Sequence, residues 1–301
     1  MSDVSKRKLF VIAVITCGLL LTVASFGDLA ISNTMINYNS VFGTIFQTFG
    51  EFPVYFIFVL SGEVAIVYAI RCKEDKLFAV PLFLGGFSLS AWQIKQYLNE
   101  VSSYSIAALT NIHNNKSIGL ANSDAATASL STKEALILWL VVYICITLLI
   151  AFWLKNKSDE QIKKYLLIGI FASLTVWFSL EVNGALKDFW GRVRPYELSA
   201  SQHDFTSWLH PNGVNGHKSF PSGHTMSGTL CIVFSWFATG IRRRRLWIFG
   251  VVYGAVLGLS RLIIGAHFLS DIVFSYFLTA FFIFIMRSLY DHIIEKNLKL
   301  H

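Results

Sequence analysis

The chain has 301 residues, a formal net charge of +7 and a mean hydropathy of +0.56; 54% of it is hydrophobic and only 14% charged. Soluble domains carry about 25% charged residues, so an ordinary water-facing surface is excluded and much of the chain must face lipid. The positive balance is not a nucleic-acid signal, because the basic residues track the ends of hydrophobic segments.

Apolar runs fall at 9–26, 53–70, 77–93, 134–154, 166–183, 224–240, 246–264 and 268–287. Each is near the ~20 residues a spanning helix needs; none is shorter than the run at 77–93. The pattern predicts one all-α, polytopic transmembrane bundle of about eight spans (six to eight) over 1–301. The first run follows Lys6, Arg7 and Lys8, and no small-x-small cleavage site comes after it, so an uncleaved anchor is expected. Residues 27–52 read as a first outer loop. Within it Val41, Phe42, Ile45, Phe46 and Phe49 share one helical face. That helix is expected on the outer membrane surface, as a packing element or as a rim guiding a headgroup.

Residues 94–133 read as a second outer loop, rich in Asn, Ser and Ala, with the glycosylation-type triplet Asn115-Lys116-Ser117. A third, 196–220, holds His203, Trp208, His210 and His217, with Gly213 and Gly216 as flexible points. With the N-terminus inside and the spans alternating, Lys6, Arg7, Lys8, Arg71, Lys73, Lys76, Lys155, Lys157, Lys163, Lys164, Arg242, Arg243, Arg244, Arg245, Arg287, Lys296 and Lys299 are all inside. These are 17 of the 25 basic residues, the imbalance the positive-inside rule predicts. Cys17, Cys72, Cys145 and Cys231 show neither a disulfide pattern nor zinc spacing and read as packing residues.

Three segments carry the chemistry: Lys187-x6-Arg194-Pro195, Pro221-Ser222-Gly223-His224, and Ser260-Arg261-x5-His267-x3-Asp271. Each lies where an apolar run ends. Lys187 and Arg194 are two turns apart and would share a face of a continuous helix, with Pro195 discouraging its extension and Gly191 loosening the preceding turn. Arg binds phosphate oxygens bidentately; Lys is a compact charge. Ser222 is placed as an N-cap, the N–H groups beyond it suit an anion, and Gly223 permits close approach. His267 and Asp271 are i and i+4, so a helix brings them to one face. A carboxylate on one ring nitrogen leaves the other free to attack.

In order and spacing these motifs resemble the tripartite signature of the type-2 phosphatidic acid phosphatase superfamily, over a catalytic core of roughly 180–290. The resemblance implies His267 as nucleophile forming a phosphohistidine, Asp271 as its orienting partner and His224 as general acid. It implies that Lys187, Arg194, Arg261, Ser222 and Gly223 hold the phosphate, without metal or other cofactor. The expected reaction is hydrolysis of a phosphomonoester or pyrophosphate on a membrane lipid, such as phosphatidate, phosphatidylglycerophosphate, undecaprenyl diphosphate or a lipid A phosphate. The site is expected at the outer face of a bacterial inner membrane. A lipid phosphotransferase would show the same motifs; a non-catalytic transporter or scaffold is the more distant alternative. The bilayer is the expected partner, with neither nucleic acid nor an obligate protein partner indicated. Arg192 has no motif role and reads as a headgroup contact or a solvated residue. Glu63 and Glu181 are left outside the site, and His203, Asp204, His210 and His217 match no metal spacing.

Overall fold

The computed structural model of the chain describes residues 3–71, 76–120 and 130–298. Cys72, Lys73, residues 121–129 of the predicted second loop, and Lys299 lie outside them. The described residues form nine α-helices in order: α1 (Asp3–Met35), α2 (Val41–Phe49), α3 (Phe52–Arg71), α4 (Lys76–His113), α5 (Thr132–Leu154), α6 (Asp159–Trp190), α7 (Gly223–Leu230), α8 (Gly240–Ile263) and α9 (Leu269–Leu298). Among the described residues there is no strand. Seven segments are long and apolar enough to cross a membrane: Val11–Met35, Val41–Arg71, Lys76–His113, Thr132–Leu154, Asp159–Glu197, Gly240–Ile263 and Leu269–Ile293. The protein is an all-α, polytopic integral membrane protein. Helix α5 makes the point: Leu136, Ile137, Val141, Ile144, Leu148, Leu149 and Phe152 are all exposed, which water would penalise and lipid does not.

Three expectations change. The predicted first loop is shorter, because α1 runs on to Met35 and α2 occupies most of the rest. The predicted second loop is largely helix, since α4 continues to His113. The run 224–240 is not one long helix. It forms α7 and then tightens into a 3₁₀ segment, Cys231–Phe237. Its sequence explains this: two glycines and two threonines in α7, then β-branched and aromatic residues, are poor helix formers. At ~1.5 and ~2.0 Å per residue the two pieces together still rise about 26 Å, near the ~30 Å of a hydrocarbon core. Helix α8 closes against this stretch because Gly250 and Gly254 carry no side chain. A Cβ there would lie 2.5 Å from the Ile232 nitrogen or 2.9 Å from Thr229 Oγ1.

The main core joins α3, α6, α7 and the 3₁₀ segment through Ile57, Ile168, Ala172, Val176, Leu230 and Val233. The two ends of the bundle differ. At one, Arg71 donates to the carbonyls of Leu154 (3.1 Å) and Lys157 (2.6 Å) and pairs with Asp159. From there α6 climbs 32 residues, about 48 Å. At the opposite end α6 and α8 finish and α7 and α9 begin.

Candidate active site

Helix α6 stops at Trp190 because Gly191 takes a left-handed conformation (φ 46°) and caps it, its N–H donating to Lys187 O at 3.0 Å. A side chain there would collide with the carbonyl of Gly213. Lys187 therefore lies on the helix, while Arg194 follows in extended chain. The expected shared face of one continuous helix is not what brings them together; the glycine turn is. Arg194 donates to Tyr196 Oη at 2.8 Å, and its guanidinium lies over that ring. Arg194, Arg261 and Glu51 all lie within electrostatic reach of Lys187, and Arg194 and Arg261 within reach of His267. Three cations thus converge beside His267.

His267 sits in the turn between α8 and α9, 2% exposed. Its Nδ1 lies 2.7 Å from the Ser219 carbonyl and 3.5 Å from Asp271 Oδ2. A carbonyl only accepts, so Nδ1 carries the hydrogen and Nε2 keeps the lone pair. The nearer tautomer-fixing partner is thus a backbone oxygen, not the carboxylate the i, i+4 spacing suggests. Asp271 acts one step back: it accepts from Ser219 Oγ at 2.5 Å and from the Phe268 N–H at 2.9 Å, fastening both segments that flank the ring. Burial, with Arg194 and Arg261 beside it, holds the His267 pKa down to about 3 against the opposing pull of Asp271. The free ring is neutral.

Arg192 is not a solvated residue. It is fully buried and reaches Asp271 Oδ1 at 2.6 Å, Asp28 Oδ2 at 2.9 Å, Ser270 Oγ at 2.8 Å and the Thr206 carbonyl at 2.9 Å. The Phe268 ring lies 4.2 Å beneath the guanidinium. Asp28, from α1, also accepts from the N–H and hydroxyl of Ser270. Burying one cation between two carboxylates is tolerable only with such complete hydrogen bonding.

Ser222 caps α7, its Oγ accepting from the Thr225 N–H, and its own N–H donates to Asp271 O at 3.2 Å. Gly223 faces Lys187: a Cβ there would lie 3.0 Å from Nζ. His224 follows, 8% exposed. Its Nε2–H donates to the Gln47 carbonyl at 3.2 Å, and Nδ1 lies 3.3 Å from Glu51 Oε1. Gln47 Oε1 also accepts from Arg261 at 3.3 Å. Helix α2 presents Gln47 inward while Val41, Phe42, Ile45 and Phe49 stay exposed. Its apolar face is the outer one, and its polar face belongs to the site.

Glu51, Glu100 and His224 bring one ligand-type atom each within 4.8 Å of one another, the one such group among the described residues. The carboxyls of Glu51 and Glu100 are hydrogen-bonded to each other, and Tyr55 donates to Glu100. Two carboxyls bond directly only when they share a proton, whereas metal-bound carboxylates are deprotonated. Glu63 is elsewhere, bonded to Thr147 at 3.1 Å, and Glu181 is exposed. In the third loop His217 pairs with Glu197, and Trp208 donates to Ser25 of α1.

A cavity of about 1070 Å³ lies between α4 and α5. Trp92, Gln93, Gln96, Asn99 and Trp139 line it, together with Tyr55 and Glu100 of the row beside His224.

Residues 161–294 match the PAP2 superfamily. The lipid A 1-phosphatase of Rhizobium johnstonii is 33% identical over 119 residues, 39% of this chain and 46% of that protein. The lipid A 1-phosphatase of Rhizobium etli is 32% identical over 145 residues, 45% and 58% of the two chains. The lipid A 4'-phosphatase of Francisella tularensis subsp. novicida is 31% identical over 134 residues, 42% and 60%. The match thus spans about half the length of these curated relatives. No solved structure matches significantly.

Proposed function

We propose that this chain, whose residues 161–294 match the PAP2 superfamily, is a metal-independent phosphatase of a membrane lipid phosphate working through a phosphohistidine. One observation carries the reading: His267 is a neutral imidazole with Nδ1–H engaged by a carbonyl, next to Arg194 and Arg261. Its Nε2 attacks phosphorus in line, and the P–O bond to the lipid breaks. His224 gives its Nε2 proton to the departing oxygen. Water then attacks phosphorus, returns a proton to His224 and breaks the P–N bond. Lys187, Arg194, Arg261 and the first N–H groups of α7, which Ser222 caps and which begin at Gly223, hold the charge that spreads over the transferring phosphoryl oxygens. The catalytic core is the 180–290 stretch of a single membrane domain.

The lipid enters through the α4–α5 cavity. Indole faces and side-chain amides there suit a hydroxyl-rich headgroup, and the relatives are by name phosphatases of lipid A. Phosphorylated glycolipids are therefore the first substrates to test, ahead of phosphatidate, phosphatidylglycerophosphate and undecaprenyl diphosphate. The site faces outward. The basic turns at Arg71, Lys155 and residues 242–245 lie at the other end of the bundle, and the positive-inside rule puts them in the cytoplasm. The test is phosphate release by purified protein in detergent from that panel, with and without an acceptor lipid, after exhaustive chelation and with vanadate. Chelator-resistant, vanadate-sensitive release independent of acceptor is expected. Transfer to the acceptor in place of release makes it a phosphotransferase, and activity restored only by a divalent cation removes metal independence.

A further inference from the structure

Two acidic residues outside the matched stretch stand behind His224. Glu51 occupies the turn between α2 and α3, and three hydroxyls fix that turn. Ser227 of α7 donates to Glu51 O at 3.0 Å, Tyr253 of α8 to Gly50 O at 2.9 Å, and Tyr97 of α4 to Phe49 O at 3.2 Å. The carboxyl so held meets His224 Nδ1 at 3.3 Å. Behind it come Glu100, hydrogen-bonded to Glu51, and Tyr55, which donates to Glu100. The row is thus His224, Glu51, Glu100, Tyr55, drawn from α7, the α2–α3 turn, α4 and α3.

An imidazole that gives up Nε2–H without a proton at Nδ1 would be left as an anion, which neutral-pH catalysis does not reach. The donor therefore needs a proton from its other side. We propose that Glu51 and Glu100 are a proton store for His224, holding one shared proton between them. As Nε2–H passes to the departing lipid oxygen, the shared proton moves from Glu100 through Glu51 to Nδ1. The ring stays neutral and the carboxyl pair gains one negative charge, offset by Lys187 and Arg261 nearby. When water attacks the phosphohistidine, its proton goes to Nε2 and the Nδ1 proton returns through Glu51 to Glu100. Nothing is consumed beyond the ester and the water. The two glutamates act through His224 as positioning residues, and the proposal rests on the reading of His224 as the acid.

The test compares Glu51→Gln, Glu100→Gln and His224→Ala in the full-length protein, each assayed on hexyl phosphate, a poor leaving group, and p-nitrophenyl phosphate, a good one. Glutamine still hydrogen-bonds the ring but transfers no proton. Expected for Glu51→Gln is a fall in kcat on hexyl phosphate approaching the roughly 10²–10⁴-fold typical of general acid–base catalysis. KM and vanadate inhibition should stay near wild type, and the loss on p-nitrophenyl phosphate should be small. Glu100→Gln should show the same bias more weakly, and it serves alone if Glu51→Gln does not fold. Leaving-group bias in His224→Ala but in neither glutamine variant overturns the store and leaves the acid in place. Absence of bias in His224→Ala itself overturns the acid, and the store with it. Wild-type activity lost to EDTA and restored by Mg²⁺ or Zn²⁺ would put a metal between these carboxyls and also overturn the store.

Discussion

Arg192→Met tests whether the buried cation holds the site together. The substitution keeps an unbranched, space-filling side chain but strands Asp28 and Asp271, 3% and 0% exposed, without their shared cation. Removing one partner of a buried ion pair typically costs about 3–5 kcal/mol, because the surviving charge stays desolvated. Several hydrogen bonds end on this one guanidinium, so the upper part of that range applies. At about 2–4 °C per kcal/mol for a chain of this size class, the melting temperature in detergent should fall by roughly 8–20 °C. Activity should fall too, because Asp271 fastens Ser219 and Phe268 on either side of His267.

A second substitution makes the reasoning sharper. In the wild type, Asp28→Asn weakens a charge-assisted contact and should cost about 1.5–3 kcal/mol. In the Arg192→Met background the same change removes an unpaired buried charge, so it should raise the melting temperature. Thermal unfolding of the two single variants and the double variant measures this coupling. Equal destabilisation by Asp28→Asn in both backgrounds would falsify the ion pair as the source of the stability.

Three further outcomes are expected. His267→Gln should abolish turnover and also flatten the acid side of the stability profile. The folded ring, with its pKa lowered to about 3, stays unprotonated while the unfolded one titrates near ~6.5. Stability from this group is therefore full above ~6.5 and lost as pH falls toward 3; an unchanged pH dependence of melting in the variant would sink that assignment. Gly223→Ala should fold normally yet raise KM, on the order of tenfold, by pushing the Lys187 amine out of register, since a small misplacement near a reacting centre is costly; an unchanged KM with an altered melting temperature would make Gly223 a packing residue only. Single cysteines at Asp204 and Arg243 in a cysteine-free background should react with an impermeant maleimide in intact cells at 204 and not at 243, and the reverse pattern would put the site on the cytoplasmic face.

The three motifs were legible because their residues crowd into about eighty positions with fixed spacing and sit at the ends of apolar runs. The turn chemistry at Ser222 was legible for the same local reason. What sequence could not supply was anything set by contact between distant helices. Arg192 looked incidental because its partners, Asp28 and Asp271, lie far away along the chain and its burial leaves no local mark. Glu100 fell in a stretch read as loop: Lys95, Gln96, Asn99 and Glu100 dilute its hydropathy. That stretch stays helical because its polar face lines the cavity and the tyrosine-bearing turns behind the site. Gln47 was masked by the apolar stripe of its own helix, which predicted the outward face and said nothing of the inward one. One signal was available. Asp28, Glu51 and Glu100 are acidic groups within or beside membrane-crossing segments, and such groups are costly enough to be functional by default.

Those acidic groups also bear on how the molecule is divided. The matched stretch, 161–294, contains every motif residue. Yet the carboxylate opposite Arg192 comes from α1, the carbonyl on His224 from α2, and the carboxyl on its other nitrogen from the turn before α3. Cut away from α1–α4, the stretch would keep His267 and its three cations but would leave a buried guanidinium half paired. The ring of His224 would lose both its partners. Neither is tolerable in a low-dielectric interior, where an unpaired polar group costs more than a satisfied one contributes. The N-terminal helices are therefore part of the catalytic unit, and an excised 161–294 fragment should neither fold stably nor hydrolyse phosphate esters.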